Sequence, residues 1–186
     1  MKEGVRFLAV ASGPIYERKR KETLLVGVIG RMGVIEGILS DRVDIDGNNA
    51  TQKIAKMARK SRFCDQIKAV AINGIAIAGL NVVDVKTLER RLGVPVVVIT
   101  RKKPDFKALE KAIMNPKDKD ADSARGKVEI VKMLNLERPF RKAGGFYVQA
   151  DNRISYGKGV ATAFELLRIA HMIANGVSTG ISKGRI

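Results

Sequence analysis

The chain has 186 residues, 45% of them hydrophobic, which is enough to bury the core of one domain and argues against a disordered protein. Its 35 basic and 19 acidic residues give a formal net charge of +16, which favours a polyanionic partner such as nucleic acid. A membrane surface is the weaker explanation, because no predicted helix combines a wide apolar face with a purely basic one. The remaining explanation is that the charge serves solubility alone.

Targeting signals, membrane spans and disulfides are not predicted. Glu3 and Arg6 interrupt the apolar residues near the N-terminus, so this segment does not resemble a signal peptide. No stretch is long and apolar enough to cross a membrane. The single Cys64 has no second cysteine with which to form an internal disulfide, as is usual in a reducing compartment. We therefore expect a cytoplasmic protein.

The first quarter of the chain predicts a three-stranded meander. The apolar run over residues 5–11 predicts a strand that ends at a Ser-Gly-Pro turn signal. Residues 17–21 predict a basic loop. Residues 23–30 and 34–43 predict two further strands, joined by a short turn as an antiparallel hairpin.

A basic amphipathic helix is predicted after this meander. Asn49 is expected to cap it and Gln52 to complete a capping box, in which each side chain bonds a backbone N–H near the other residue. The residues expected on its buried face are Ile54, Ala55, Met57, Ala58 and Ser61. The residues expected on its exposed face are Lys53, Lys56, Arg59, Lys60 and Arg62. This basic face is equally compatible with phosphate contact and with ordinary solvation.

The segment from residue 65 to residue 104 predicts a parallel β-α-β unit. Residues 67–72 and 96–100 are apolar runs rich in β-branched side chains, which is typical of strands buried on both faces. A helix over residues 84–92 is expected between them, since an Asp stands at its start and a Gly directly after its end. Ligands of open α/β sheets bind beyond the carboxyl ends of such strands, which directs attention to the residues that follow each run.

The remainder of the chain predicts helices over residues 106–115, 123–134 and 160–175, with a short strand over residues 146–149. A charged connector at about 116–123 is expected to be mobile. Neither a repeat nor a long linker divides the sequence, so residues 1–186 are predicted to form one domain. A meander followed by β-α-β units predicts an α/β fold of the ribonuclease H-like kind, with a mixed sheet and helices on both faces.

Four segments carry a resemblance to a known family. They are FLAVASGPI, LSDRVDIDGNNATQKIAKM, AINGIAIAGLNVVDVKTLERRLGVPVVVITRKKPDF and LLRIAHMIANGV, in this order along the chain. Together they resemble a small, largely archaeal family of uncharacterised proteins, the domain of unknown function numbered ninety-nine. That family is in turn similar to endonuclease V, whose enzymes cut DNA or RNA near deaminated purines with a divalent metal. The resemblance implies an endonuclease V-like domain with a nucleic-acid partner.

The resemblance also implies a metal site whose acidic residues are replaced in this chain. Two-metal phosphodiester cleavage needs several converging carboxylates, which hold the ions and position the attacking water. The family's aspartates at the end of the first strand correspond to Ala11 and Ser12, and the aspartate that ends the central strand corresponds to Asn73. The glutamate of the first helix falls near Gln52 and Lys53, where no carboxylate stands. We therefore expect impaired two-metal catalysis.

Basic residues of the resembling site are retained. Arg101 and Lys102 match paired basic residues of the nuclease, and Lys103 follows them directly. His171 matches a late histidine or aspartate, and Arg168 precedes it by one helical turn. All five are candidate nucleic-acid-binding residues. A half-buried, hydrogen-bonded structural histidine is the alternative for His171, because its predicted helical face is otherwise apolar.

Two other classes of function remain open. An active endonuclease would use relocated acids at Asp44, Asp46 or Asp84, and only then would Mg²⁺ or Mn²⁺ be a cofactor. Asp44 and Asp46 are a candidate metal pair, since alternate residues of a strand point the same way, although a turn also explains an Asp-Gly sequence. The third class is a non-catalytic structural or interaction protein, with a homo-oligomer left open. The leading hypothesis is a catalytically impaired, endonuclease V-like protein that binds nucleic acid.

Overall fold

The computed structural model describes residues 5–15, 21–115, 120–154 and 157–182. The strands are β1 (Phe7–Ser12), β2 (Glu22–Arg31), β3 (Val34–Asp44), β4 (Ala69–Asn73), β5 (Ala76–Ile77), β6 (Asn81–Val82), β7 (Val96–Thr100), β8 (Arg141–Ala143) and β9 (Phe146–Gln149). The helices are α1 (Ala50–Lys60), α2 (Val85–Leu92), α3 (Phe106–Ile113), α4 (Ala121–Glu137) and α5 (Lys158–Thr179).

A seven-stranded mixed sheet forms the centre of the fold, in the order β3-β2-β1-β4-β7-β9-β8. The first three strands pair antiparallel, as the predicted meander requires. β4 pairs parallel with both β1 and β7, so the predicted β-α-β unit is also confirmed. β9 then pairs antiparallel with β7 and β8, and β5 and β6 form a separate two-stranded ribbon.

Helices cover both faces of the sheet, and strand alternation explains why. Leu8 and Val10 of β1 belong to the core that includes buried residues of α1, α2 and α4. Phe7, Ala9 and Ala11 belong to the second core, against α5. Successive side chains of a strand point to opposite faces, so continuous apolar runs such as β1, β4 and β7 supply both cores.

The first helix begins where predicted, but its predicted capping box is wrong. Asn49 occupies the N-cap position without capping, and its Oδ1 accepts instead from the backbone N–H of Asp44 at 3.2 Å and from Nδ2 of Asn81 at 3.0 Å. The amide of the buried Asn81 supplies the cap, because its Oδ1 accepts from the backbone N–H of Ala50 at 3.0 Å. Asn81 is 31 residues from this N–H, so a local capping pattern does not reveal it.

Other predicted boundaries need small corrections. A 3₁₀ turn over Cys64–Gln66 precedes the central strand, which therefore starts at Ala69 and not at residue 67 as predicted. The carboxylate of Asp84 accepts from the backbone N–H of Thr87 at 3.0 Å, which confirms the predicted cap of α2. α4 starts two residues before the predicted helix, so part of the predicted connector is helical. The rest of the predicted connector, at 116–119, and most of the predicted basic loop, at 17–20, lie outside the described residues.

No helix within the described ranges is long and apolar enough to cross a membrane.

Candidate nucleic-acid site at the carboxyl ends of the strands

Ala11 and Asn73 lie on the same face of the sheet, near the carboxyl ends of two adjacent parallel strands. Val10 is aligned with Ile72, which brings the next residues of β1 and β4, Ala11 and Asn73, side by side. Alternation along the strands directs both toward the face covered by α5. Ala11 is 4% exposed and contributes only a methyl group to the apolar core. The half-buried Asn73 is the polar member of this pair, and its side chain has no hydrogen-bond partner among the described residues.

Ser12 has a structural contact at the end of β1. Its Oγ accepts a hydrogen bond of 3.0 Å from the backbone N–H of Ala78, in the turn between β5 and β6. The hydroxyl thereby ties the end of β1 to the segment that follows the central strand. Ala78 has a φ of 47°, an uncommon value for a non-glycine residue, and this hydrogen bond helps to hold it.

Gln52 and Lys53, at the corresponding position of α1, supply no carboxylate. Gln52 is exposed, and Nζ of Lys53 lies 3.4 Å from Oδ1 of Asp41 on β3. This ion pair joins the first helix to an outer strand of the sheet. It does not place an acidic group beside Ala11.

The premise that Asp44 and Asp46 alternate on one strand is wrong. β3 ends at Asp44, and Asp46 has a φ of 58° in the turn that follows. Oδ1 of Asp46 accepts from the backbone N–H of Leu80 at 2.7 Å, and the Asp46 carbonyl accepts from Nζ of Lys127 at 2.7 Å. Asp46 therefore holds a turn together, and metal binding at this pair stays a prediction.

The donor set does not fit a divalent metal pair. Within the described residues, no three His, Cys, Asp or Glu side chains group closely enough to hold a metal ion. Ala11 offers no ligand atom and Asn73 offers one neutral carbonyl, whereas Mg²⁺ binds mainly through carboxylates. Asp84 is occupied as the cap of α2, because its two oxygens accept from the backbone N–H and the hydroxyl of Thr87.

Three cations follow β7 directly at the same edge of the sheet. Arg101, Lys102 and Lys103 are exposed, and the hydroxyl of Thr100 donates to the Lys102 carbonyl at 2.8 Å, which shapes their turn. The guanidinium carbon of Arg101 lies 5.4 Å from the ring centroid of Phe164 on α5. This ring supports the cation without neutralising it. None of the three cations has a carboxylate partner among the described residues.

Arg168 and His171 lie on α5, which packs against β1, β2 and β4. Nε of Arg168 is 3.0 Å from a carboxylate oxygen of Glu165, so its charge is partly compensated. Burial lowers the pKa of the half-buried His171 below its ordinary value, because it favours the neutral imidazole. Its ring has no hydrogen-bond partner in the part of the chain that the structure describes. His171 is therefore half-buried, as expected of a structural histidine, but the described residues do not give it the expected hydrogen bond.

The structure brings Ala11, Asn73 and Arg101 to the carboxyl ends of β1, β4 and β7, which are neighbours in the sheet. The helix that packs on this part of the sheet, α5, carries Arg168 and His171. The exposed cations and the free amide of Asn73 can donate hydrogen bonds to phosphate oxygens. The arrangement can therefore bind a polyanion without the help of a metal ion.

The sequence reasoning missed Arg141 and Lys142 beside this edge. Both lie on β8, the outermost strand, and Lys142 is aligned with Tyr147, which is aligned in turn with Thr100. The available signal was the Gly144-Gly145 pair directly before the predicted strand at 146–149, which is typical of the turn of a tight hairpin.

Comparison with known proteins identifies the family and the fold. The chain is similar to a protein of Thermococcus sibiricus described only as a UPF0215 protein, with 35% identity over 174 residues that cover 89% of this chain and 86% of the relative. It is also similar to the crystal structure of a protein of unknown function from Archaeoglobus fulgidus. That match has a TM-score of 0.76 and 28% identity, and it covers 92% of this chain and 97% of the other.

Human endonuclease V matches with a TM-score of 0.53 and 11% identity, over 92% of this chain and 83% of the enzyme. This likeness confirms the predicted ribonuclease H-like α/β fold, and at such low identity it shows the fold alone. The sequence model of the family described as Endonuclease dU matches residues 3–178, nearly the whole length. The chain therefore belongs to the Endonuclease dU family.

Proposed function

We propose that this protein binds nucleic acid at the carboxyl ends of β1, β4 and β7 and is impaired in two-metal cleavage. The observation on which the proposal rests is that Ala11 and Asn73 are neighbours on adjacent strands, next to the exposed cations that follow β7. By the resemblance to endonuclease V, these two positions are those of metal-binding aspartates. The net charge of +16 supports a polyanionic partner.

The chemistry of the site favours binding over cutting. A divalent metal would supply charge stabilisation and an activated water, but it needs carboxylates to hold it. Ala11 and Asn73 contribute no negative charge, and such a site tolerates a phosphate that acidic ligands would repel. Arg101, Lys102 and Lys103 then act as phosphate-binding cations in their own right. The free Cys64 is consistent with the reducing cytoplasm in which we place the protein.

The salt dependence of binding tests this proposal. We expect the wild-type protein to bind 20-nucleotide single-stranded and duplex DNA and RNA, with an affinity that falls steeply as salt rises. Each phosphate contact that is lost should reduce the slope of log K against log salt by about 0.7 for a single strand. The Arg101→Gln/Lys102→Gln variant should therefore reduce that slope by about 1.4. Fluorescence anisotropy titrations at several salt concentrations measure it.

The matched control is Lys60→Gln/Lys68→Gln, which removes the same charge elsewhere. Lys60 ends α1 and Lys68 precedes β4, so neither stands at the carboxyl ends of the strands. This control should keep the wild-type slope. Absent or salt-insensitive binding by the wild-type protein would refute the proposed function, and equal slopes for the two double variants would refute the proposed site.

Restoring acids tests the impairment of catalysis. Asn73→Asp alone is expected to give no Mg²⁺- or Mn²⁺-dependent cleavage, because Ala11 next to it still supplies no ligand. The Ala11→Asp/Asn73→Asp variant places two carboxylates on adjacent strand ends, and Mn²⁺ should then raise its melting temperature through binding to the folded state. Gel assays and thermal melts with and without Mn²⁺ measure both effects. Robust cleavage by Asn73→Asp alone would overturn this account of the site.

A further inference from the structure

The β8–β9 hairpin extends the sheet beyond the proposed site. Tyr147 of β9 is aligned with Thr100, the last residue of β7, and with Lys142 of β8. Gly144 and Gly145 form the tip with φ values of 56° and 84°, which matches a type I′ turn. Nothing lies within 4 Å of a Cβ built on either glycine, so the tip is open to a ligand.

Aromatic contacts fix the hairpin to the cations that follow β7. The rings of Phe146, on β9, and Phe164, on α5, have centroids 4.0 Å apart and an interplanar angle of 30°. The same Phe164 ring lies under the guanidinium of Arg101. One side chain of α5 therefore supports both Arg101 and the turn end of the hairpin, and the two are held in a defined relation.

The exposed charge of the hairpin continues that of the proposed site. Lys142 is exposed, and its ammonium group has no carboxylate partner among the described residues. Asp105 caps α3 through the backbone N–H of Ala108, and Asp151, which follows β9, binds the side chain of Arg153. The positive charge of Lys142 is therefore available to an anion.

The spacing of these cations suits a phosphodiester chain. Two strand-to-strand distances separate Thr100 from Lys142, which amounts to about 10 Å. Stacked nucleotides rise by about 3.4 Å each, so this distance corresponds to about three nucleotide steps of one strand. Lys142 alternates with Ala143, which packs in the core against α5. Lys142 therefore lies on the opposite face of the sheet from Phe164 and Arg101. A backbone bound at Arg101 therefore reaches Lys142 by passing over the glycine tip.

We infer that the β8–β9 hairpin binds the sugar–phosphate backbone of the nucleic acid, with Lys142 contacting a phosphate across the glycine tip from the one at Arg101. The inference rests on the proposed function and extends the site by two strands. The glycine tip brings bare backbone close to the ligand, where N–H groups can face phosphate oxygens. Contacts of this kind read no sequence, so the hairpin adds affinity without base preference.

Lys142→Gln tests the inference, with Lys68→Gln as the matched control. Lys142→Gln should reduce the slope of log K against log salt by about 0.7 for a 20-nucleotide oligo(dT) strand or about 0.9 for a 20-base-pair duplex. A rise in salt from 50 to 200 mM should then weaken its binding to oligo(dT) about 2.6-fold less than it weakens wild-type binding. Lys68→Gln should keep the wild-type slope, and all three proteins should melt at the same temperature.

The outcomes separate the hairpin from the site to which it is attached. A wild-type slope for Lys142→Gln, together with a reduced slope for Arg101→Gln/Lys102→Gln, overturns the hairpin contact and leaves the proposed function standing. Wild-type protein that fails to bind either oligonucleotide overturns both. A reduced slope with only one of the two probes supports the inference and identifies the form of nucleic acid that reaches the hairpin.

Discussion

Replacement of Arg138 by Met is expected to lower the free energy of unfolding by about 3 kcal/mol. Nη1 and Nη2 of Arg138 each donate to a carboxylate oxygen of Glu89 at 2.8 Å, as a bidentate pair between the end of α4 and α2. The two side chains are only 20% and 11% exposed. The hydrogen bonds to Glu89 raise the pKa of Arg138 further above its ordinary value, so the guanidinium stays charged.

Arg138→Met is destabilising because Glu89 loses its counter-charge while its side chain stays bound at a largely buried position. Its Oε1 also accepts from the backbone N–H of Val96, at the start of β7, at 2.9 Å. An unpaired carboxylate at a largely buried position costs far more than the loss of a surface ion pair. Thermal melts should show a decrease of about 6–12 °C for a chain of this size.

Two further variants separate charge pairing from packing. Arg125→Met removes an arginine from the same helix that is 72% exposed, and it should change stability by less than about 0.5 kcal/mol. Glu89→Met/Arg138→Met removes both charges together, and it should be less destabilised than Arg138→Met alone. If Arg138→Met melts at the same temperature as Arg125→Met, the pair contributes nothing and the explanation is wrong.

Replacement of Gln149 by Met is expected to raise the free energy of unfolding by about 1–2 kcal/mol. Gln149 is 2% exposed on β9, opposite Val98, and neither its Nε2 nor its Oε1 has a hydrogen-bond partner among the described residues. A buried amide without partners has lost its hydration and gained nothing in return. Methionine has a similar length and no such polar atoms.

Urea denaturation measures this gain, with Gln52→Met as the matched control. Gln52 is exposed on α1, so the same substitution there should leave stability nearly unchanged. A lower midpoint for Gln149→Met would mean that ordered water satisfies the amide in the folded protein. The hairpin contact proposed for Lys142 should be unaffected, because Gln149 lies at the far end of β9 from the glycine tip.

Much of the fold was predictable because its signals are local. The apolar run of β7 matches the observed Val96–Thr100 strand at both ends, since the strand is buried on both faces. The meander follows from alternation and turn residues. The capping of α1 was not predictable, because the capping amide belongs to Asn81, far along the chain. β8 was missed because Arg141–Ala143 is too short and too polar to carry a strand pattern.

The candidate site was predictable in its position but not in its supports. Carboxyl ends of adjacent parallel strands must meet, and this places Asn73 beside Ala11. The ring beneath Arg101 comes from α5, 63 positions later by the sequence numbering, and no spacing rule indicates it. Likewise, no spacing rule indicates that Nζ of Lys127, on α4, donates to the carbonyl of Asp46. Such contacts depend on how helices dock, which local sequence patterns do not encode.

The shared use of Phe164 has a consequence for the order of folding. The strands and cations of the site are synthesised well before Phe164, yet this single ring supports both Arg101 and the turn end of the β8–β9 hairpin. During synthesis, which proceeds from the N-terminus, the complete basic surface therefore forms only after α5 has emerged and docked. A growing chain that is already rich in basic residues thus acquires its ordered polyanion-binding surface last, when the rest of the sheet is in place.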